Sequence, residues 1–448
     1  MAGESTTWAL VAATRELVAT DIPEEAREAA RHCLLDFLGC ALAGSREPLT
    51  SILVDSVVRQ EGAVEASLIG RSERATRLGA ALVNGAAGHA LDFDDTHTTM
   101  TGHPSVPVLP ALLALGETEG VSGLRLSTAL VTGIELECRL GALLGADHYQ
   151  KGFHGTGTLG TFGAAAGCAQ MLGLDESGWL HAVGLAGTQA AGLKASFGTM
   201  AKPLHAGRAA SAGLLAALLA RGGFTGHGQI IETSQGFAAT QATRVPDPAL
   251  LDAYRHRFLI RDTLFKYHAA CYLTHAAIEA ANDLRARHGI EPATLDGLEV
   301  HVSPLVLDVC NITEPTTGLE GKFSLRATVA LALLGEDTRN PATYSDASMA
   351  DPRLVAVRDR VTVRTDDSLV PTQARVVVRT GTRRVEAVAD TGVPAPDLGA
   401  QRERLLHKFR VLAAPALGGA GAERLSDAVL RIDELESVAE LLRLAQPA

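Results

Sequence analysis

The sequence predicts a mainly α protein: a large all-helical domain formed by the N- and C-terminal parts of the chain, with a smaller α+β lid domain inserted between them. Three observations point there. Ala- and Leu-rich runs spaced at three and four fill roughly the first 265 residues, alternating segments are confined to the region after about residue 294, and helical spacing returns from Leu398 onward. A chain of 448 residues exceeds what one core usually organises. The expected boundaries are 1–267 with 395–448 for the helical domain and 268–394 for the insert.

Taken in order, the first clear helix begins near Asp21, which can cap it, with Pro23 in the first turn and Glu24 and Glu25 at the positive end of the dipole. Ala26, Ala29, Ala30, Cys33, Leu34, Phe37 and Leu38 then mark a buried face. Similar runs predict helices over 75–91, 105–118, 127–144, 159–171, 177–193, 206–220 and 269–287. Little before residue 265 alternates, so this part reads as all-helical. Strands are predicted at 298–302, 361–365, 374–379 and 385–389, the last two joined by the turn Thr380-Gly-Thr-Arg383. Helices are predicted between them at 323–334 and 349–360. The chain ends in helices over 402–412 and 426–444. An insert of this kind can serve as a lid over a cleft.

Composition removes several function classes. Lys plus Arg total 40 against 51 Asp plus Glu, a net charge of −11 with no basic run, so nucleic acid is not an expected partner. At 4% aromatic residues the chain also lacks the material of a base-stacking platform. The six cysteines are scattered without a Cys-x-x-Cys pair and read as reduced thiols. Met1-Ala-Gly-Glu-Ser-Thr-Thr has no basic start leading into an apolar core, and no window reaches 18 uninterrupted apolar residues. A cytoplasmic protein with no membrane association is the expectation.

The densest chemistry lies in Gly88-His-Ala-Leu-Asp-Phe-Asp-Asp-Thr-His97 and Gly102-His-Pro-Ser105, where three carboxylates and three imidazoles share eighteen residues. Burying so many titratable groups is costly, which makes catalysis the leading reading. A divalent metal site and a solvated acidic loop are the alternatives. No His-Glu-x-x-His or Asp-x-Asp-x-Asp-Gly pattern is present, and carboxylates beside histidines serve equally to orient and charge imidazoles.

Three further segments bear on function. Gly155-Thr-Gly-Thr-Leu-Gly160 matches the dinucleotide fingerprint literally, with Asp175 downstream, but no strand precedes it and no βαβ unit follows. Its glycines read instead as close helix packing beside His154. Phe197 to Arg208 sets Lys202 and Arg208 among uncharged residues, either as snorkelling side chains or as a cationic pocket for a carboxylate. Lys266 falls at the expected domain junction, where pockets form. No Gly-x-Ser-x-Gly elbow or phosphate loop occurs, so serine nucleophile and nucleoside triphosphate chemistry lose support.

With these segments in this order, the chain resembles the MmgE/PrpD family, which includes 2-methylcitrate dehydratases, cis-aconitate decarboxylases and iminodisuccinate epimerase. The resemblance spans essentially the whole length. It is carried by residues 89–96, His103-Pro-Ser105, Gly152-Phe-His154, Gly198 to Arg208, Lys266 and Lys408-Phe-Arg410. It implies a homodimer, catalysis without metal or organic cofactor, and an interdomain cleft that binds a small polycarboxylate substrate. Asp92, Thr96, His103, His154, Lys202 and Lys266 fall on family active-site positions. Lys202 and Lys266, with Arg208 as a further cation, are expected to hold carboxylates, and His103 and His154 to exchange protons. Asp92 and Thr96 are expected to orient His103 or bind substrate; Asp94, Asp95 and His97 are expected to be mainly structural.

Two departures concern the substrate. After Phe323-Ser-Leu the family's dehydratases and decarboxylases carry a tyrosine where this chain has Ala327, next to Arg326, which suits either another carboxylate or solvent. The segment His97 to His103 also differs from the decarboxylase branch, and Tyr149 is a candidate replacement phenol. The expected function is a cofactor-independent lyase, dehydrating or decarboxylating a di- or tricarboxylic acid. The alternative is an isomerase that inverts a carbon α to a carboxylate.

Overall fold

The computed structural model describes residues 5–19, 22–60, 62 and 64–447. Asp21, expected to cap the first clear helix, lies outside them. Packing divides the chain into two compact units: Met1–Phe265 with Pro396–Ala448, and Lys266–Ala395.

The first unit opens with α1 (Thr6–Ala19), α2 (Glu24–Gly44) and α3 (Pro48–Ser56). Pro23 is the residue before α2 rather than part of its first turn. A two-stranded ribbon follows, β1 (Ala66–Ser67) antiparallel to β2 (Arg74–Ala75), in a region expected to be wholly helical. Two-residue strands leave no alternation to read; the Glu117 carboxylate anchors the ribbon by accepting from the Ser67 N–H and hydroxyl at 2.7 and 2.8 Å. Then come α4 (Arg77–Gly88), α5 (Ser105–Glu119), α6 (Gly123–Leu144), α7 (Asp147–Gln150), α8 (Gly155–Leu172), α9 (Glu176–Gly187), α10 (Ala201–Arg221) and α11 (Phe237–Gln241). Thr76, Ser122 and Asp175 cap α4, α6 and α9 through their side-chain oxygens. The helix expected to reach residue 193 stops at Gly187, and the one expected from 206 starts five residues earlier, at Ala201.

Helices α5 and α8 are buried on nearly every face, so they form the centre of the unit. Small residues let their neighbours approach. A Cβ added to Gly85 of α4 would lie 2.7 Å from the Gly207 Cα of α10, and one on Gly207 would lie 2.1 Å from the Leu82 carbonyl. Because α4 leads into the acidic segment and α10 carries Lys202, this contact sets the spacing of the site. Gly207→Ala is therefore expected to cost about 1–3 kcal/mol by overpacking and to lower activity with it, measured by urea denaturation and turnover on one preparation. The glycines of the 155–160 segment pack as closely. Added Cβ atoms would meet the Met100 carbonyl at 2.7 Å (Gly155), the Ala191 carbonyl at 2.6 Å (Gly157) and the Pro107 ring at 2.5 Å (Gly160).

The second unit contains α12 (Tyr272–His288), β3 (Gly297–Val302), α13 (Pro304–Leu307), α14 (Gly318–Gly321), α15 (Leu325–Leu334), α16 (Asp346–Met349), α17 (Pro352–Arg358), β4 (Val361–Thr365), β5 (Gln373–Thr380) and β6 (Arg383–Asp390). Its sheet runs β4-β3-β5-β6, with β3 parallel to β4 and antiparallel to β5. Leu298, Val300 and Val302 turn inward and their neighbours outward, as the alternation predicts. The β5–β6 hairpin closes at Gly381, whose φ of +57° suits a tight two-residue turn.

The chain returns to the first unit as α18 (Leu398–Leu430), interrupted at Gly418, and α19 (Val438–Leu444). The single helix expected over 426–444 is thus divided, and Ser437 caps the second piece. Helix α18 packs on α2, where the Gln401 side chain meets His32 Nδ1 at 2.9 Å. Among the described residues, no helix is long and apolar enough to cross a membrane.

Candidate active site

Helix α4 ends at Gly88, and the chain turns through His89 to Asp92, whose φ of +49° lies in the left-handed region that aspartate tolerates better than most residues. This turn sends Asp92 and Asp94 toward one place while Phe93 points inward. The segment is pinned from the far end of the chain: Lys408 of α18 donates to the Phe93 carbonyl at 2.6 Å and pairs with buried Asp36 at 2.5 Å.

The remaining expected structural residues take separate partners. Asp95 accepts from the Ser105 hydroxyl and N–H at 2.5 and 3.3 Å, fixing the start of α5. His97 Nε2 meets the Leu259 carbonyl at 2.9 Å, and its Nδ1 accepts from Thr99 N–H at 3.2 Å. Thr96 and Leu264 exchange two backbone hydrogen bonds of 2.8 Å.

Around this frame, the first unit gathers a cluster of imidazoles, carboxylates and one ammonium. Asp94 is buried and receives two rings: His89 Nδ1 at 2.9 and 3.0 Å from its two oxygens, and His103 Nδ1 at 3.1 Å from Oδ2. The second approach is close but off the line of an ideal hydrogen bond. On its other side, His103 Nε2 lies 3.5 Å from Asp92 Oδ1, which pairs with Lys202 Nζ at 2.9 Å. His89 meets His103 edge-on, with centroids 4.5 Å apart, and stacks on His154 at 5.8 Å. His154 Nδ1 lies 3.2 Å from His205 Nδ1, and Phe197 abuts both the His154 ring and the Lys202 ammonium.

Electrostatics divides these groups into roles. Burial pulls His89 down to about 4, with His103 and Lys202 acting in the same direction and Asp94 opposing them. Burial alone would raise Asp94, but the two imidazoles outweigh it and hold the carboxyl well below its ordinary range. A neutral His89 donating its Nδ1–H to an ionised Asp94 satisfies both residues. Burial and the surrounding imidazoles and Lys202 depress His154 strongly, and burial with Lys202 depresses His205, so both rings are neutral.

Burial, reinforced by Asp36, pushes Asp95 up to about 8. Its folded-state value thus lies above its unfolded value, so its contribution to stability is complete below pH ~4 and is lost as pH rises toward 8. Asp95→Asn is expected to flatten the fall in stability between pH 5 and 8, read from urea midpoints. An unchanged slope would contradict a buried neutral acid here.

The donor atoms of His89, Asp92, Asp94 and His103 lie within 4.8 Å of one another, close enough to hold a cation together. The contacts present instead pair the donors internally, two imidazoles on Asp94 and the Lys202 ammonium on Asp92.

Of the residues expected from sequence, Asp92, His103, His154 and Lys202 come together. Tyr149, on α7, has its phenol raised by burial and by the Asp92 charge, and Lys194 lies 3.6 Å above its ring. Arg208 is exposed on α10, roughly 120° round the helix from Lys202, and no contact brings it to the cluster. Lys266 is the first residue of the second unit, buried, with its charge felt by Tyr272 and His275. His89, His205 and Phe197 join the cluster without being marked out by spacing, although all lie within the motif-bearing segments. Asp94 reads from sequence as structural, and the pairing of Lys408 with Phe93 spans 315 residues with no local signal.

Comparison with known proteins finds relatives along most of the chain. The chain is 29% identical over 462 residues to a cis-aconitate decarboxylase of Aspergillus terreus, covering 96% of this chain and 93% of that protein. It is 31% identical over 382 residues to the cis-aconitate decarboxylase of Mus musculus, covering 82% and 78%. It is 27% identical over 370 residues to a 2-methylcitrate dehydratase of Cupriavidus necator, covering 77% and 74%. Residues 9–246 match the MmgE/PrpD N-terminal domain and 268–434 the MmgE/PrpD C-terminal domain. Both halves of the chain, including the segment that builds the imidazole cluster, are thus accounted for by one lineage: this chain is an enzyme belonging to the MmgE/PrpD family.

Proposed function

We propose that the protein is a lyase that removes CO2 or water from a small di- or tricarboxylic acid by proton transfer next to a carboxylate. The observation that carries this reading is the meeting of Lys202, Asp92 and His103, with the neutral imidazole of His154 stacked behind His89. Similarity to decarboxylases and a dehydratase acting on such acids supports it.

The chemistry needs a cation, an acid and a base. Lys202 neutralises a substrate carboxylate, exchanging its contact with Asp92 for one with substrate. Breaking a C–CO2 bond leaves its electron pair on carbon, delocalised into the remaining carboxylate, and His103 supplies the proton that quenches it. In dehydration, His154 takes the α-proton and His103 protonates the departing hydroxyl. Each shuttle contributes roughly 10²- to 10⁴-fold. Lys266 is proposed, on the family resemblance, as a second carboxylate-binding cation, and Thr96, Tyr149 and Arg208 as substrate-contacting residues. A homodimer is also proposed, to be checked by light scattering.

Ala327, buried in α15 where the family resemblance implies a tyrosine, favours a second reading. In it, proton removal and return invert a carbon α to a carboxylate. A screen of aconitate-like, citrate-like and amino-dicarboxylate acids by proton NMR separates the two. The lyase reading expects CO2 or water to leave at least one of the first two classes. Inversion of an amino-dicarboxylate with no mass lost would replace it.

A further inference from the structure

We propose that His89 and Asp94 are positioning residues: the Asp94 carboxylate, oriented by the Nδ1–H of His89, keeps the proton of His103 on Nδ1 and leaves Nε2 as the proton-exchanging atom. The inference rests on the reading above, in which His103 exchanges protons with substrate.

Three observations carry it. His89 Nδ1 spans both Asp94 oxygens at 2.9 and 3.0 Å, while its Nε2 is buried without a hydrogen-bond partner. A buried N–H without an acceptor costs about 1–3 kcal/mol, so the ring carries its single proton on Nδ1 and aims it at Asp94. Second, His103 Nδ1 lies 3.1 Å from the same carboxylate, off the ideal hydrogen-bond line but closer than the 3.5 Å from Nε2 to Asp92 Oδ1, an oxygen already engaged by the Lys202 ammonium. Asp94 is therefore the stronger acceptor, and Nδ1 keeps its proton when Nε2 gives one up. Third, Asp94 is buried, and the two imidazoles it faces hold it ionised there. A buried carboxylate that stays ionised between two imidazoles is placed to fix where each carries its proton.

The logic is that of a carboxylate behind a catalytic imidazole, where a wrong tautomer leaves the fold intact and removes the proton exchange. His89 adds a layer. It is a neutral donor that stops the carboxylate from rotating, and its ring, between His103 and His154, also sets their spacing.

The test uses full-length protein labelled with 15N-histidine, whose long-range 1H–15N spectra report the tautomer of each ring. The parent is expected to show neutral His89 and His103 protonated on Nδ1. Asp94→Asn is expected to move His103 toward the Nε2–H form and to lower kcat at least about 100-fold, with KM within about threefold. His89→Gln, whose amide can still donate to Asp94, is expected to keep activity within about tenfold, whereas His89→Leu falls to the level of Asp94→Asn. A folded Asp94→Asn variant with an unchanged His103 tautomer overturns the proposal, as does equal activity in His89→Gln and His89→Leu. If Asp94→Asn does not fold, the His89 pair decides. The spectra need no turnover, so failure of the lyase reading and failure of the positioning role give different results.

Discussion

Replacing His103 or Lys202 with alanine lowers turnover at least about 100-fold while leaving the melting temperature within a few degrees of the parent. The two side chains are 11% and 16% exposed, at the accessible edge of the cluster, so neither truncation opens a large core cavity. Lys202→Ala removes the cation that neutralises the substrate carboxylate, and should raise KM as well as lower kcat. His103→Ala removes the proton that must reach the reacting carbon, and should act mainly on kcat. Partial recovery in Lys202→Arg would indicate that charge matters more than ammonium geometry. Near-normal rates in both alanine variants would remove the proposed site.

Lys408→Met destabilises the protein by about 3–5 kcal/mol, because it leaves the buried Asp36 carboxyl without its cation. Lys408 is 1% exposed and holds both Asp36 and the Phe93 carbonyl. The double variant Asp36→Leu with Lys408→Met separates these roles. Replacing a buried ion pair with apolar residues of similar size is often neutral, so most of the stability should return. Activity should not, since the carbonyl between Asp92 and Asp94 has still lost its anchor. Urea denaturation and steady-state turnover check both; a single variant as stable as the parent would contradict the pairing.

Much of this architecture is readable from residue spacing, and the exceptions have physical causes. Long apolar helices such as α5 and α6, and the strands β3 to β6, declare themselves because each repeats a period several times. The β1–β2 ribbon, at two residues per strand, has no period to show. The end of α9 at Gly187 and the break in α18 at Gly418 depend on tertiary context that overrides composition.

The site follows the same division. Residue types and order bring Asp92, His103, His154 and Lys202 forward as candidates. Spacing alone does not say which nitrogen faces which carboxylate, since that depends on the left-handed turn at Asp92. Asp94 therefore reads as structural until its two imidazoles are seen. Arg208, in the same motif as Lys202, shows that a cation turns with its helix: it lies on another face of α10. Lys408 is legible as part of a motif, but its work on Phe93 is not.

The most direct test of the central claim is incubation of the enzyme with an aconitate-like tricarboxylate, which can lose CO2, and in parallel with a citrate-like hydroxy acid, which can also lose water, in D2O, followed by proton and carbon NMR. The lyase account predicts that CO2 or water is lost from the substrate, with one solvent deuterium placed on the reacting carbon when CO2 departs, and that Lys202→Ala suppresses both signals. Deuterium appearing at an α-carbon with the substrate's mass balance intact would contradict it.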